Sequence, residues 1–522
     1  MTAFSVTGLV DPISGLLDSF YVNIPPTSNA EYLFDQAYLP TQTNFEMTAY
    51  WPDVSSKDEV QNWNTAHPSL PWEQPFYAYG ANAPVLYEIV EAPSGMTIGS
   101  QVVRDVITGF FKIDDNYGVL KWHNPIQGTH RIAIRATDQD GRMASWVFRL
   151  KVDPSLNYFM ALAATGDGSG SSPSNFASWT DTIIGQTTVS PSKGKVLRIK
   201  GDQYPVNSNL RLDKNYVAAS WVAMPTETPV FLQKFTIGSD DIHLQKLKYQ
   251  SVGTSSFGVV NIEGIKSRIG VFGCEFDECF IVGSGGGNQS CIGANLSPLS
   301  FGRERIFISS CNFKNSETLH GFDFYSIKDY VFFNNNLTIT NGATSMPLSW
   351  IFPKVQANGG EIMFNSADVP TITSTEVAII QIHNGWEPSN TNVFNMKTRV
   401  EYNLVRSGGA NIMRVGSDTD EAISANFIDT YIKRNTFIGE YVGATNYSVG
   451  TMTTRRNFWE SNIAINDRNS GSGGIVVDVG DTITGNNIFA GLSDINSLLD
   501  ANFAPLDTLK YGKTGRDIWK PE

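Results

Sequence analysis

The chain has 522 residues, 41% hydrophobic and 17% charged, with 46 glycines and a formal net charge of −13. That length suits two to four domains, and scarce charge with abundant Gly, Asn, Ser and Thr favours β-structure rich in turns. The acidity argues against general nucleic-acid binding, which needs a basic footprint. No 18-residue apolar run is present to span a membrane, and no cofactor is expected.

Residues 1–70 carry aromatics and prolines without sustained periodicity, among them Phe20-Tyr21, Tyr38-Leu39-Pro40 and Trp51-Pro52. So much large apolar surface is too adhesive for a plain disordered tail. The segment reads as an arm or small β-module that attaches to another protein, or as extra strands of the next domain. Met1 to Val6 show neither a basic nor an apolar leader, so no secretory signal is expected.

Between 71 and 153 the alternation is clean, in runs such as Ile132-Ala133-Ile134-Arg135-Ala136 and Trp146-Val147-Phe148-Arg149-Leu150. Short strands at this spacing with Gly and Asp turns predict a small antiparallel sandwich. Asp138, Asp140 and Asp153 lie in its turns and read as solvated turn residues. Oxygen ligation of calcium is the alternative, and no metal site is assigned.

Asp153-Pro154-Ser155 reads as a linker into a loop, Thr165-Gly166-Asp167-Gly168-Ser169-Gly170, followed by Phe176, Trp179 and a strand from Val196 to Tyr204. From Ile242 to Ile488 one footprint then recurs every 20 to 40 residues: apolar, any, apolar, any, any, Cys or Asn, any, apolar. It is written by Ile242-Leu244-Leu247-Tyr249, by Ile269-Val271-Cys274-Phe276, by Ile306-Ile308-Cys311-Phe313 and by Tyr330-Phe332-Asn335-Leu337. Looser copies centre on Asn403, Asn435, Asn457 and Asn486. A repeat of this length cannot bury its apolar face alone, so stacked neighbours must share one core. Asparagine suits the turn column because its amide can bond the equivalent residue in the coils above and below. All four cysteines, Cys274, Cys279, Cys291 and Cys311, fall in this region and read as buried thiols; their spacing does not suit zinc.

The glycine-rich loop, the apolar segment after it and the strand closing on Gly201-Asp202-Gln203-Tyr204 resemble the opening of the pectate-lyase-like superfamily. The stretches Leu498 to Leu506 and Gly515 to Ile518 resemble the run-off that packs under the last coil of such proteins. The resemblance implies an all-β chain: a right-handed single-stranded parallel β-helix over 158–522, with end caps. Residues 71–153 resemble immunoglobulin-like and cadherin-like domains attached to extracellular enzymes and phage proteins. Together these parts resemble phage tailspikes, which implies a homotrimer in a virion, bound to other tail proteins through its N-terminal region and to a bacterial surface polysaccharide. A non-catalytic spike and a secreted lyase or hydrolase, which would be extracellular, are the alternatives.

Outward positions of stacked strands repeat at about 4.8 Å, so chemistry should lie in files rather than in local motifs. Taking Phe322, Phe324, Ile380, Ile382 and Met413 inward turns Asp323, Tyr325, Gln381, His383 and Arg414 outward. Asp323, Tyr325, His383 and Arg414 are the candidate catalytic set, since histidine and carboxylate exchange protons near neutral pH and arginine stabilises developing negative charge. The interval from Leu337 to Thr398 is expected to form loops whose Trp350, Trp386 and Glu387 wall a groove. A second stripe, Glu401 and Tyr402, then Lys433 and Arg434, then Arg455 and Arg456, is expected to face out and grip an acidic glycan. Asp240-Asp241 and Glu275 with Asp277-Glu278 are further carboxylate pairs that a hydrolase could use.

Overall fold

The computed structural model describes residues 47–491 apart from connecting segments, the larger being 52–59, 105–110, 183–188, 282–289, 295–302, 340–349, 370–377, 384–395, 417–427, 444–454 and 467–474. The chain is all-β and has two parts. The arm over 1–46, the tail motifs beyond 491, Trp386, Glu387 and Asn486 lie outside the described residues.

The first part is a small β-module. A four-stranded sheet orders Val60–Ala66, Met143–Val152, Gly128–Thr137 and Leu86–Glu91; a three-stranded sheet orders Trp72–Pro75, Val119–Trp122 and Met96–Ile98. Alternation builds the first of these: Trp146, Phe148, Leu150 and Val152 are buried, with more exposed residues between them. Thr48–Trp51 pairs antiparallel with Tyr77–Tyr79, so two strands that lie before residue 71 complete sheets of this module. The acidic turns are structural. Asp138 accepts from the backbone N–H groups of Asn82, Asp140 and Arg142, and Asp153 caps the short helical turn Pro154–Leu156 through Ser155. Among the described residues no three His, Cys, Asp or Glu side chains cluster as a metal site.

The second part is a solenoid of parallel strands. The chain visits three sheets in turn, as in Val196–Ile199, Gln203–Tyr204 and Leu210–Leu212, then Ser220–Ala223, Val230–Phe231 and Phe235–Ile237. Repetition builds sheets of thirteen, eleven and eight strands among the described residues, each strand beside its counterpart one coil away. This is the topology of a parallel β-helix. Trp179, on the four-residue helix Trp179–Thr182, closes the lower end with its ring 5.0 Å from Tyr204 and 5.8 Å from Phe231. Before it, Gly170 has φ +68° and its missing Cβ would stand 2.6 Å from the Tyr158 ring, so only glycine fits there.

The footprint read from sequence describes one corner of every coil. Its first and third positions lie on the thirteen-stranded sheet, and its last lies on the eleven-stranded sheet, where Tyr249, Phe276 and Phe313 stack at 5.0 and 5.1 Å. Between them one residue is left-handed: Lys246, Gly273, Ser310, Asn334, Phe364, Tyr402 and Arg434 all have φ between 53° and 62°. The residue after each forms an interior column of Leu247, Cys274, Cys311, Asn335, Asn365, Asn403 and Asn435. Its upper part is a hydrogen-bonded ladder from Asn335 through Asn365, Asn403 and Asn435 to Asn462. Each amide also donates to a carbonyl of the coil below, as Asn335 does to Ile308 at 3.0 Å. The thiols take the same role, Cys311 donating to Val271 and Cys274 to Leu244. That shared donor role is why Cys and Asn alternate at one position.

Two sequence expectations change here. Asn457 is not in the column: it pairs with Thr430 within the strand Arg455–Glu460, and the column residue of that coil is Asn462. The interval from Leu337 to Thr398, expected to supply loops around the strand at Ile380 and Ile382, holds strands of all three sheets: Ile351–Lys354, Gly360–Met363 and Ser366–Val369, besides Ala378–His383. Its footprint is Gly360, Ile362, Asn365 and Ala367. Gly360 replaces the apolar first residue because the Tyr330 ring occupies the space a Cβ would need, reaching past it to bond Thr398 Oγ1 at 3.2 Å. Gly360→Ala is therefore expected to cost about 1–3 kcal/mol through overpacking. Thermal melts should show most of that loss recovered when Tyr330→Leu is added.

Candidate functional site

The three sheets present three different outer faces. On the thirteen-stranded sheet the outward residues of the middle coils are covered by the β-module. Phe307, Val331, Phe333, Met363, Phe364 and Tyr402 share one apolar core with Trp72, Tyr77, Tyr117, Trp122 and Trp146 of the module. Tyr77 packs on Phe333 at 5.0 Å, and Phe364 stacks on Tyr402 at 4.9 Å. Phe364 and Tyr402 are bulky residues in left-handed backbone, a conformation that costs of order 1–3 kcal/mol. Their rings make the joint with the module: Phe364 lies 6.2 Å from Tyr117, and the Tyr402 hydroxyl donates to the Ala83 carbonyl at 2.6 Å.

At the upper end of this joint sits a buried charge cluster that the local sequence did not reveal. Arg399 donates to Glu361 at 2.9 Å, to both oxygens of Glu401 at 2.9 and 3.1 Å, and to the Ala81 carbonyl at 2.8 Å. Glu361 also accepts from the Tyr77 hydroxyl and the Gly80 N–H. Burial pushes the Glu361 carboxyl above its ordinary range, against the opposing pull of Arg399 and Tyr77. It likewise raises the Tyr77 phenol, so that hydroxyl stays a donor.

The expected glycan stripe is thus largely reassigned. Glu401 and Tyr402 are buried in the joint, because the module covers the face that their alternation turns outward. Arg434 bonds Gln139 of the module at 2.9 Å and also Tyr402. Lys433 is paired with Glu460 at 3.1 Å. Arg455 and Arg456 stand on the strand Arg455–Glu460, beside Ile428 and Asp429 of the coil below.

The eleven-stranded sheet carries a self-neutralised ladder. Lys248 lies 2.8 Å from Glu275 and 2.7 Å from Asp277, and Lys314 lies 2.7 Å from Glu275. Partial burial would raise Glu275, but its hydrogen bonds to Lys248 and Lys314 outweigh that and hold the carboxyl below its ordinary range. Asp241 is held low in the same way, Arg268 and Lys214 outweighing burial. Kept ionised by lysine and arginine, Glu275 and Asp241 are poor proton donors, which counts against either as the acid of a hydrolytic site.

The eight-stranded sheet gathers the candidate catalytic positions. Its register places Gly293 beside Asp323 and Asp323 beside Phe352, with Gln381 beside Arg414 farther along. A second file runs from Tyr325 through Lys354 to His383 and Gly416. All four candidate catalytic residues therefore lie on one sheet, in two adjacent files, and Lys354 joins them unforeseen. Asp323 and Gln381, expected to be open to solvent, are 3% and 6% exposed. Trp350, expected to wall the groove, is instead fully buried in the core, 5.4 Å from Phe332 and 6.3 Å from Phe313.

No protein-family model matches the chain, and neither the curated proteins nor the solved structures yield a match. The fold and these files are what define its class: a parallel β-solenoid with a β-module fastened along one face.

Proposed function

We propose that the protein is a phage tailspike-like virion protein that binds a bacterial surface polysaccharide along the eight-stranded sheet and cleaves it there. The observation that carries this reading is the register that sets Asp323, Gln381 and Arg414 in one file and Tyr325, Lys354 and His383 in the next. Files repeating at about 4.8 Å suit an extended polymer lying along the coils. The other two faces offer less, one being covered by the module and the other already charge-paired among the described residues. In this reading the coils are right-handed, the hand of about 98% of parallel crossovers. The module is an immunoglobulin-like unit, residues 1–46 attach to other tail proteins, and three copies assemble.

Cleavage would follow either of two routes. In hydrolysis, paired carboxyl groups act on the glycosidic bond. In β-elimination, Tyr325 or His383 takes a proton while Arg414 and Lys354 neutralise a uronate. The burial of Asp323 and Gln381 favours a second reading, a receptor-binding spike without turnover. Incubating the protein with capsule and lipopolysaccharide of candidate hosts separates these readings: new reducing ends mark hydrolysis, unsaturated uronate marks elimination, and retention without either marks a binder. His383→Ala and Arg414→Ala are expected to lower turnover or retention at least about tenfold, whereas Lys433→Ala leaves both unchanged. Failure to retain or cleave any of these polymers overturns the proposal.

A further inference from the structure

The module grips the solenoid at two polar ends, and acid acts on them in opposite directions. At the lower end His243 is buried on the outer face of the thirteen-stranded sheet. The Gln245 amide donates to Glu73 at 2.9 Å, so its carbonyl is left to accept from His243 Nε2–H at 3.0 Å. Lys246 closes this relay on Glu73. Beside it Arg198 donates to the Thr65 carbonyl at 2.8 Å and to Asn157 at 2.9 Å. Glu73 and Thr65 belong to the module, so the relay from the imidazole crosses the joint. The upper end is the Glu361, Arg399 and Glu401 cluster.

We propose that mild acid releases the lower end of the module while the upper end holds, so that the module pivots on the solenoid. The groups facing His243 are Gln245 on its own strand, Arg198 on a lower coil and Glu73 from the module. Burial, aided by the Arg198 cation and opposed by Gln245 and Glu73, holds the docked imidazole down to about 4. His67 of the module is also held low, by burial and by Arg198. A solvated imidazole takes up its proton near 6.5. As pH falls from 6.5 toward 4, the released state therefore binds protons that the docked state refuses, and docking weakens. At the upper end the sign is reversed: Glu361 is held above its ordinary range, so its contribution is lost as pH rises and not as it falls.

Hydrogen exchange by mass spectrometry on the full chain, corrected for intrinsic rates, tests this at about pH 7.5 and about pH 5. Opening of 61–74 should rise about 30-fold at the lower pH, with 77–83 unchanged. In His243→Gln, which stays neutral, the rise at 61–74 should fall to no more than a few-fold. If that variant fails to fold, the wild-type profile alone decides, through a midpoint between pH 4 and 6.5 confined to 61–74. Equal protection at both pH values, a uniform rise across the module, or an undiminished rise in His243→Gln each overturns the proposal.

Discussion

Replacing Arg399 with leucine is expected to destabilise the protein by about 3–5 kcal/mol, because it leaves buried charge without a partner. The guanidinium sits between two carboxylates and gives a further donor to the Ala81 carbonyl. Burial alone would pull Arg399 down, but Glu401 and Glu361 reverse that, so it stays charged across the accessible pH range. Without it, Glu361 and Glu401 face each other in an apolar joint, and protonation is their one means of relief. The deficit in urea midpoint should therefore be larger at about pH 8 than at about pH 5. Converting all three to leucine, with Tyr77→Phe so that no phenol is orphaned, is expected to recover more than half of the loss, since an apolar triad of similar volume replaces the ions. The Gly80 N–H remains unpaired in that variant and keeps recovery incomplete. An Arg399→Leu protein within about 1 kcal/mol of wild type would mean that the ring contacts, and not the ions, fasten the module.

The solenoid was legible because its corner is chemically exacting. From Cys274 upward each column residue donates to a carbonyl of the coil below, and a repeat of alternating strand, Cys or Asn, and apolar residue survives wherever the coil is regular. The coil holding Asn365 escaped because Gly360 and Ala367 are small where the footprint asks for bulk. The Tyr330 ring supplies the volume from the neighbouring coil, and no single-repeat pattern records a neighbour's volume. Asn457 was misplaced because its coil begins on asparagine, which drew the template five residues early, away from Asn462. The error over Glu401 and Tyr402 is of another kind. Alternation says only which side of a sheet a residue faces, and Glu401 lies opposite inward Val400 while Tyr402 stands at the left-handed corner after the strand. Whether a second body covers that side is written in the distant residues Tyr77, Ala81 and Ala83, whose partners lie about 280 to 320 positions away and share no motif with them. For the candidate site, alternation also put Asp323, Tyr325, Gln381, His383 and Arg414 on one sheet, while the burial of Asp323 and Gln381 depends on packing that alternation does not encode.

Asn403→Leu is the second change with a large expected effect, about 3–6 kcal/mol, and here shape can be separated from hydrogen bonding. Leucine is larger than asparagine but shares its branching at Cγ, and the same column already seats Leu247 at a lower coil. What is lost is the amide. Its NH2 group bonds the Ile362 carbonyl at 2.9 Å and Asn435 Oδ1 at 3.0 Å, and its oxygen accepts from the Asn365 N–H at 2.9 Å and side chain at 3.0 Å. At least two backbone groups are then buried without partners, at about 1–3 kcal/mol each. Asn403→Cys should fall between leucine and wild type, because Cys311 shows that a thiol at this corner can donate to the coil below. It cannot replace the oxygen that Asn365 needs. Adding Asn435→Leu to Asn403→Leu should cost less than the sum of the single losses, since each removes a bond the other also breaks. Chemical denaturation of the four proteins measures all of this, and strict additivity, or a neutral Asn403→Leu, would show that apolar stacking alone holds the coils in register.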